Sequence, residues 1–221
     1  MKKYVKLLLL MAIGVMSTGC ISCWLRDYGQ NETRTYALPG AYTKLDVSDA
    51  FEVEMRADVT EPTFNIPEQL YDKLIFSLEK GTLSIGLRSF VGGNIKTLKV
   101  ELPMNPDLTS ISESGASRMV VYGLNKMEKV SLSGASTLLI SGASENLHIH
   151  LTGASNLDAR DLLADNVNGE LSGASHADVT VCNDLSVSLS GASQLIYGLI
   201  TPTCNPNVVC NTSGASTVTK R

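Results

Sequence analysis

The strongest constraint on this chain is a phrase it repeats. LSGAS stands at Leu132–Ser136, Leu171–Ser175 and Leu189–Ser193. Near copies stand at Glu113–Ser117, Ile140–Ser144, Leu151–Ser155 and Thr212–Ser216. With Ile140–Ser144 set aside, the glycines are Gly115, Gly134, Gly153, Gly173, Gly191 and Gly214, at intervals of 19, 19, 20, 18 and 23 residues. Gly142 is a half-turn copy, 8 residues after Gly134 and 11 before Gly153. A fixed period of this length marks a stacked repeat, in which each unit buries its apolar side only against its neighbours.

Aligned on the glycine, the residues two places before it include Leu132, Leu151, Leu171 and Leu189. Four before stand Ile111, Val130, Ile149 and Val187; six before stand Leu147, Val167 and Leu185. Four after come Met119, Leu138, Leu157, Leu195 and Val218, and six after come Val121, Ile140, Val179 and Tyr197. Apolar residues alternate with polar ones on both sides of the glycine, which is the period of a strand. No helical stripe persists, and glycine and serine recur too often for one. The pattern predicts an all-β chain, a parallel β-solenoid (β-helix) with coils of about 19–20 residues. Each coil lies about 4.8 Å along the axis from the last. The glycines form a structural corner, because glycine reaches backbone conformations closed to other residues. The alanine after each glycine is expected to turn inward, and the serine after that to bond its own turn.

Thr33 to Thr109 lacks the phrase but reads as strands: YTKLDVS and FEVEMR alternate, and KLIFSLEKGTLSIGLR is two strands about Lys80-Gly81. The succession FEVEMR, LSIGLR, VELPMNPDLTSISESGAS and repeated LSGAS resembles the bacterial family called putative auto-transporter adhesin, head GIN domain, over about Tyr42 to Ser216. The resemblance implies a right-handed helical β fold and an exported, often lipid-anchored protein. It attaches no catalytic residues. The expected organisation is a signal at 1–19, a lipidated N-terminus and tether at 20–40, less regular β coils or a cap at 41–110, and the repeat solenoid at 111–221. Residues 41–221 together form one domain of the family.

The leader has a basic start (Lys2, Lys3, Lys6), an apolar run from Leu7 to Met16, then Ser17, Thr18, Gly19 and Cys20. This is a secretory signal whose end resembles a lipobox, with Cys20 as the lipidation site. Ser17 stands where a lipobox usually has leucine; the alternative is an ordinary cleaved signal. Loss of the three lysines takes the formal charge from −4 to −7, so membrane attachment would come from the lipid. The expected location is the outer membrane or cell surface. Export implies an oxidising compartment. Cys204 and Cys210 lie in one loop and are a candidate disulfide; Cys182 with Cys204 is the other pairing, and three free thiols a third arrangement.

An acidic chain does not suit nucleic acid. There is no phosphate loop, dinucleotide fingerprint or HExxH, and no CxxC, so no cofactor or metal is expected. His148 and His150 share a strand face and read as exposed polar residues. The serines of the repeat do not fit a nucleophile elbow, which needs a second glycine two residues later. Three places after each glycine stand Arg118, Thr137, Asn156, His176, Gln194 and Thr217, a polar column facing water or a ligand's hydroxyls. Five after stand Val120, Leu139, Asp158, Asp178 and Ile196. The leading expectation is a non-enzymatic lipoprotein that binds a glycan or an envelope protein. The alternatives are a polysaccharide-active β-helix enzyme using Asp158 and Asp178, and a scaffold that self-associates through its end coils.

Overall fold

The structure, a computed structural model, describes residues 27–89 and 97–221. The leader and Cys20 lie outside the described residues. The strands are β1 (Asn31–Thr35), β2 (Lys44–Val47), β3 (Phe51–Arg56), β4 (Thr63–Pro67), β5 (Leu74–Glu79), β6 (Thr82–Leu87), β7 (Leu98–Pro103) and β8 (Ser110–Glu113). They continue as β9 (Arg118–Leu124), β10 (Lys129–Leu132), β11 (Thr137–Leu151), β12 (Asn156–Leu171), β13 (His176–Leu189), β14 (Gln194–Leu199), β15 (Asn207–Thr212) and β16 (Thr217–Lys220). A short 3-10 turn at Glu68–Lys73 joins β4 to β5.

The strands form a parallel β-solenoid. The layer preceding each corner is stacked in the order β6, β2, β8, β10, β11, β12, β13, β15. The layer following it is stacked β7, β3, β9, β11, β12, β13, β14, β16. The long strands β11, β12 and β13 bend and serve both layers. The leucines of the phrase stack as the period predicts: Leu132 on Leu151, Leu151 on Leu171, Leu171 on Leu189. All four are buried in one shaft with Ile111, Val130, Ile149, Leu138 and Leu157. Since burying a leucine stabilises by roughly 1.5–3 kcal/mol, this aliphatic column is the main force holding the stack.

The corner explains the phrase. At Gly153 the backbone has φ +75°, and a Cβ there would lie 2.5 Å from the carbonyl oxygen of Gly134 in the coil before. Any side chain would be strained and would also strike backbone. That closeness serves a bond: the N–H of Ala154 donates to the Gly134 carbonyl at 2.7 Å, and Ala135, Ala174, Ala192 and Ala215 repeat the contact. One expectation is reversed. The alanines are exposed, and it is the serines Ser117, Ser136, Ser155, Ser175 and Ser193 that are buried. Ser136, Ser155 and Ser193 donate to the carbonyl three residues earlier, closing the turn from inside. The turn bends so tightly that the second residue after glycine, not the first, meets the shaft. Gly142 lies at a second corner, and Ser144 donates to the Met127 carbonyl.

The N-terminal region supplies both coils and a cap. Asp49, at φ 68°, holds the glycine position of the first coil, and its carbonyl accepts the N–H of Ala116. That coil, β2 and β3, sits between β6–β7 and β8–β9, so the chain leaves the stack, returns beneath its own first coil, and then climbs past it. The segment expected to be tether contributes a strand: β1 runs antiparallel on β4, which runs antiparallel on β7. β5 runs antiparallel on β6. Aromatic residues close this end, with Tyr36, Phe64 and Phe76 in edge contacts at 5.1–5.9 Å between centroids.

The cysteine expectation is corrected. Cys182 is bonded to Cys204, and Cys210 is free. Cys210 lies in β15 directly over Val187 of the shaft. Strand pairing therefore fixes Cys210 inward, while the loop before it carries Cys204 back to the coil below.

Candidate functional site

The polar column exists as a physical ladder. Thr137 pairs with Arg118 and with Asn156, Asn156 with His176, His176 with Gln194, and Gln194 with Thr217. Arg118, Gln194 and Thr217 are exposed; Thr137, Asn156 and His176 are half-buried by their neighbours. Pleating puts the next residue but one on the same outer face, giving a second ladder of Val120, Leu139, Asp158, Asp178 and Ile196. Both ladders extend further than the repeat suggested. Glu52 and Lys99 continue the first, and Glu54 and Glu101 the second. The signal that could have found them is Ser48-Asp49-Ala50, a corner with aspartate in place of glycine. Aspartate is one of the few residues that tolerate the left-handed conformation.

The face thus carries charge at its capped end and again at Asp158 and Asp178, with an uncharged stretch between. At the capped end a shallow groove of ≈ 90 Å³ is lined by Glu52, Glu54, Lys99, Glu101 and Arg118. In the middle lie Thr137, Leu139 and Asn156. A second groove, of ≈ 250 Å³, lies on the other layer among Glu170, Ser172, Ser188, Ser190, Asn211 and Ser213. Both are open; the first offers carboxylates beside the Lys99 and Arg118 cations, the second hydroxyls, an amide and a carboxylate. They are suited to hydrogen-bonding an extended ligand rather than enclosing a small one.

Asp158 and Asp178 are paired one above the other, as the spacing predicts. Their charges are met by arginines absent from the expectation. Arg160 donates from Nε to Asp158 at 2.9 Å and lies 3.8 Å from Asp178. Arg221 lies 3.4 Å from Asp178 and donates to Thr180 Oγ1 at 2.7 Å. The Arg160 hydrogen bond holds the Asp158 carboxyl below its usual range. Burial pushes Asp178 up, against the pull of Arg221 and Arg160. This is an ion-pair network that neutralises two stacked carboxylates.

His148 lies 2.5 Å from the Asn168 side chain through Nδ1, and His150 lies 3.9 Å from Glu170. Both are exposed on the layer preceding the corner, away from His176. Among the described residues no cluster of three or more metal-ligating side chains occurs.

The sequence profile of the family described as putative auto-transporter adhesin, head GIN domain, matches residues 41–198. The chain belongs to this family. The GIN-domain match ends within β14, so β15 and β16 lie beyond it. Solved structures share the fold. A putative adhesin from Bacteroides fragilis is 17% identical, with a TM-score of 0.64, over 87% of this chain and 97% of that one. A putative adhesin from Parabacteroides distasonis is 13% identical, with a TM-score of 0.50, over 87% and 98%. No curated protein matches the sequence. A GIN-domain chain is an adhesin-family protein, in keeping with a binding role at the outside of the cell.

Proposed function

We propose that this protein is a lipid-anchored envelope protein of the adhesin family that binds, without turnover, an extended glycan or another envelope component. The observation that carries this reading is the in-register outer face, where Arg118, Thr137, Asn156, His176, Gln194 and Thr217 present one polar group per coil. Such a ladder repeats at about 4.8 Å and is held rigid by the shaft, so little ordering cost falls on binding. Anchoring is assigned to Cys20, and the tether is short because β1 begins at Asn31. Among the described residues no helix is long and apolar enough to cross a membrane.

The test is a binding screen of the purified protein against glycan arrays and envelope extracts, repeated with Asn156→Ala and His176→Ala together. Binding that survives the double substitution unchanged would move the site off this face. Intact mass of membrane-extracted protein tests Cys20; an unmodified cysteine overturns the anchor. A second reading, glycan cleavage, draws on the opposite displacement of Asp158 and Asp178, which is how acid and base roles are separated. Their arginine partners weigh against it. Product release from any bound glycan, abolished in Asp178→Asn, would establish it.

A further inference from the structure

The two ends of the solenoid differ. The N-terminal end is closed by antiparallel β1, β4 and β5 and by the Tyr36, Phe64 and Phe76 cluster. At the C-terminal end β15 pairs only with β13 and β16 only with β14. One backbone edge of each is unpaired by any described strand. Val208 and Val209 are 39% and 48% exposed, and Cys210 and Val218 cap the shaft half-buried. Edge strands are usually guarded by lysine, proline or a bulge. Pro206 and Lys220 stand at the margins, but residues 207–219 contain no charged side chain.

This edge is fastened as well as bare. The Cys182–Cys204 bond ties the loop before β15 to the coil below. Arg221 ties the end of β16 by its N–H to the Tyr197 carbonyl, and by its guanidinium to Thr180 and Asp178. A fraying edge would lose its template; a pinned one keeps it and lowers the ordering cost of pairing.

We propose that this end coil docks a second copy of the same chain, tail to tail about a two-fold axis, along the free edge of β15. Three observations select a second copy. An uncharged strand meets itself without like-charge repulsion. The edge strands at the N-terminal end, β1 and β5, carry Glu32, Arg34 and Glu79 and do not match the uncharged β15, so head-to-tail growth is disfavoured and the contact closes as a dimer. Pleat parity permits it: opposite residues in an antiparallel pair point to the same side, so the central pair is Val209 with Val209 or Cys210 with Cys210. In the second register the two free thiols face each other. Pairing through the edges of two six-residue strands makes a small contact, so single pairs are weak and gain from display in numbers. The β1 strands lie at the far ends of such a dimer. Its use as a bridge between two membranes rests on the anchored reading above; the pairing itself does not.

Sedimentation equilibrium of the purified protein from micromolar to millimolar concentration tests the pairing. A concentration-dependent dimer is expected. Val209→Lys with Asn211→Lys, both outward and exposed on β15, sets lysines opposite one another in either register. It should weaken association roughly tenfold or more while circular dichroism stays unchanged. A monomer throughout, or a lysine variant that dimerises as well as the parent, overturns the proposal. Vesicles carrying the lipidated protein should cluster; dispersed vesicles with an intact solution dimer would overturn only the bridging role. A failed glycan screen bears on neither.

Discussion

Glu113 breaks the leucine column, and its replacement gives a sharp test of how the shaft works. It stands where other coils have Leu132, Leu151 and Leu171, stacked between Val47 and Leu132. Its residue is 1% exposed. Oε2 accepts a hydrogen bond from Ser117 Oγ at 2.9 Å, while Oε1 has no partner. Burial pushes the carboxyl up to about 7, with the Ser117 bond opposing. The folded protein therefore holds this proton more tightly than the unfolded chain. The stability that goes with the protonated form is complete below the unfolded value of 4.5 and is lost as pH rises through about 7. At ~1.4 kcal/mol per pH unit the gap amounts to about 3 kcal/mol. Glu113→Leu restores the column and removes the ionisable group, freeing Ser117 to bond its own turn as Ser136 does. The variant should exceed the parent by about 3 kcal/mol at pH 8 and by little at pH 4.5. Urea unfolding of both proteins across that range measures the difference. Other carboxylates contribute to each curve alike and cancel in it. A gap between variant and parent that stays constant from pH 4.5 to 8 would refute the reasoning, and Glu113→Gln, which cannot ionise, should also flatten it.

Gly153→Ala should cost about 3 kcal/mol, from left-handed backbone and contact with the Gly134 carbonyl, lowering Tm by roughly 10 °C. Ala154→Ser, at an exposed position in the same turn, should leave Tm nearly unchanged. Replacing Cys182 and Cys204 by alanine should cost about 3 kcal/mol for a cross-link between residues 22 apart, measured by denaturant unfolding. Peptide mapping of the unreduced parent should show Cys182 joined to Cys204, with Cys210 open to alkylation after unfolding. Arg160→Ala should remove the hydrogen bond that keeps Asp158 low, so that carboxyl titrates at higher pH by NMR; an unmoved Asp158 would contradict the ion-pair assignment.

Much of the site was legible because it is a consequence of period. Once Gly115 to Gly214 align, the outward ladders of Arg118 to Thr217 and Val120 to Ile196 follow from alternation. Arg160 and Arg221 were not legible as partners of Asp158 and Asp178, since reach around a bend and from beyond β16 carries no periodic mark. The alanine and serine roles were inverted for a similar reason. Which side chain a tight turn directs inward depends on its dihedral angles, and these were set by the carbonyl of the coil beneath.

By itself the sequence determined a stack of coils, their length, the aliphatic shaft and the need for glycine at the corner, because local alternation and a repeated period leave few other ways to bury these leucines. Tertiary structure alone decided the order in which the first two coils enter the stack, the pairing of Cys182 with Cys204, the aspartate that stands in for a glycine, and the contrast between a closed end and an open one. Those features depend on which segments meet after long excursions of the chain. No repeat encodes that meeting; it is settled by which edges and apolar surfaces remain uncovered once the coils are in place.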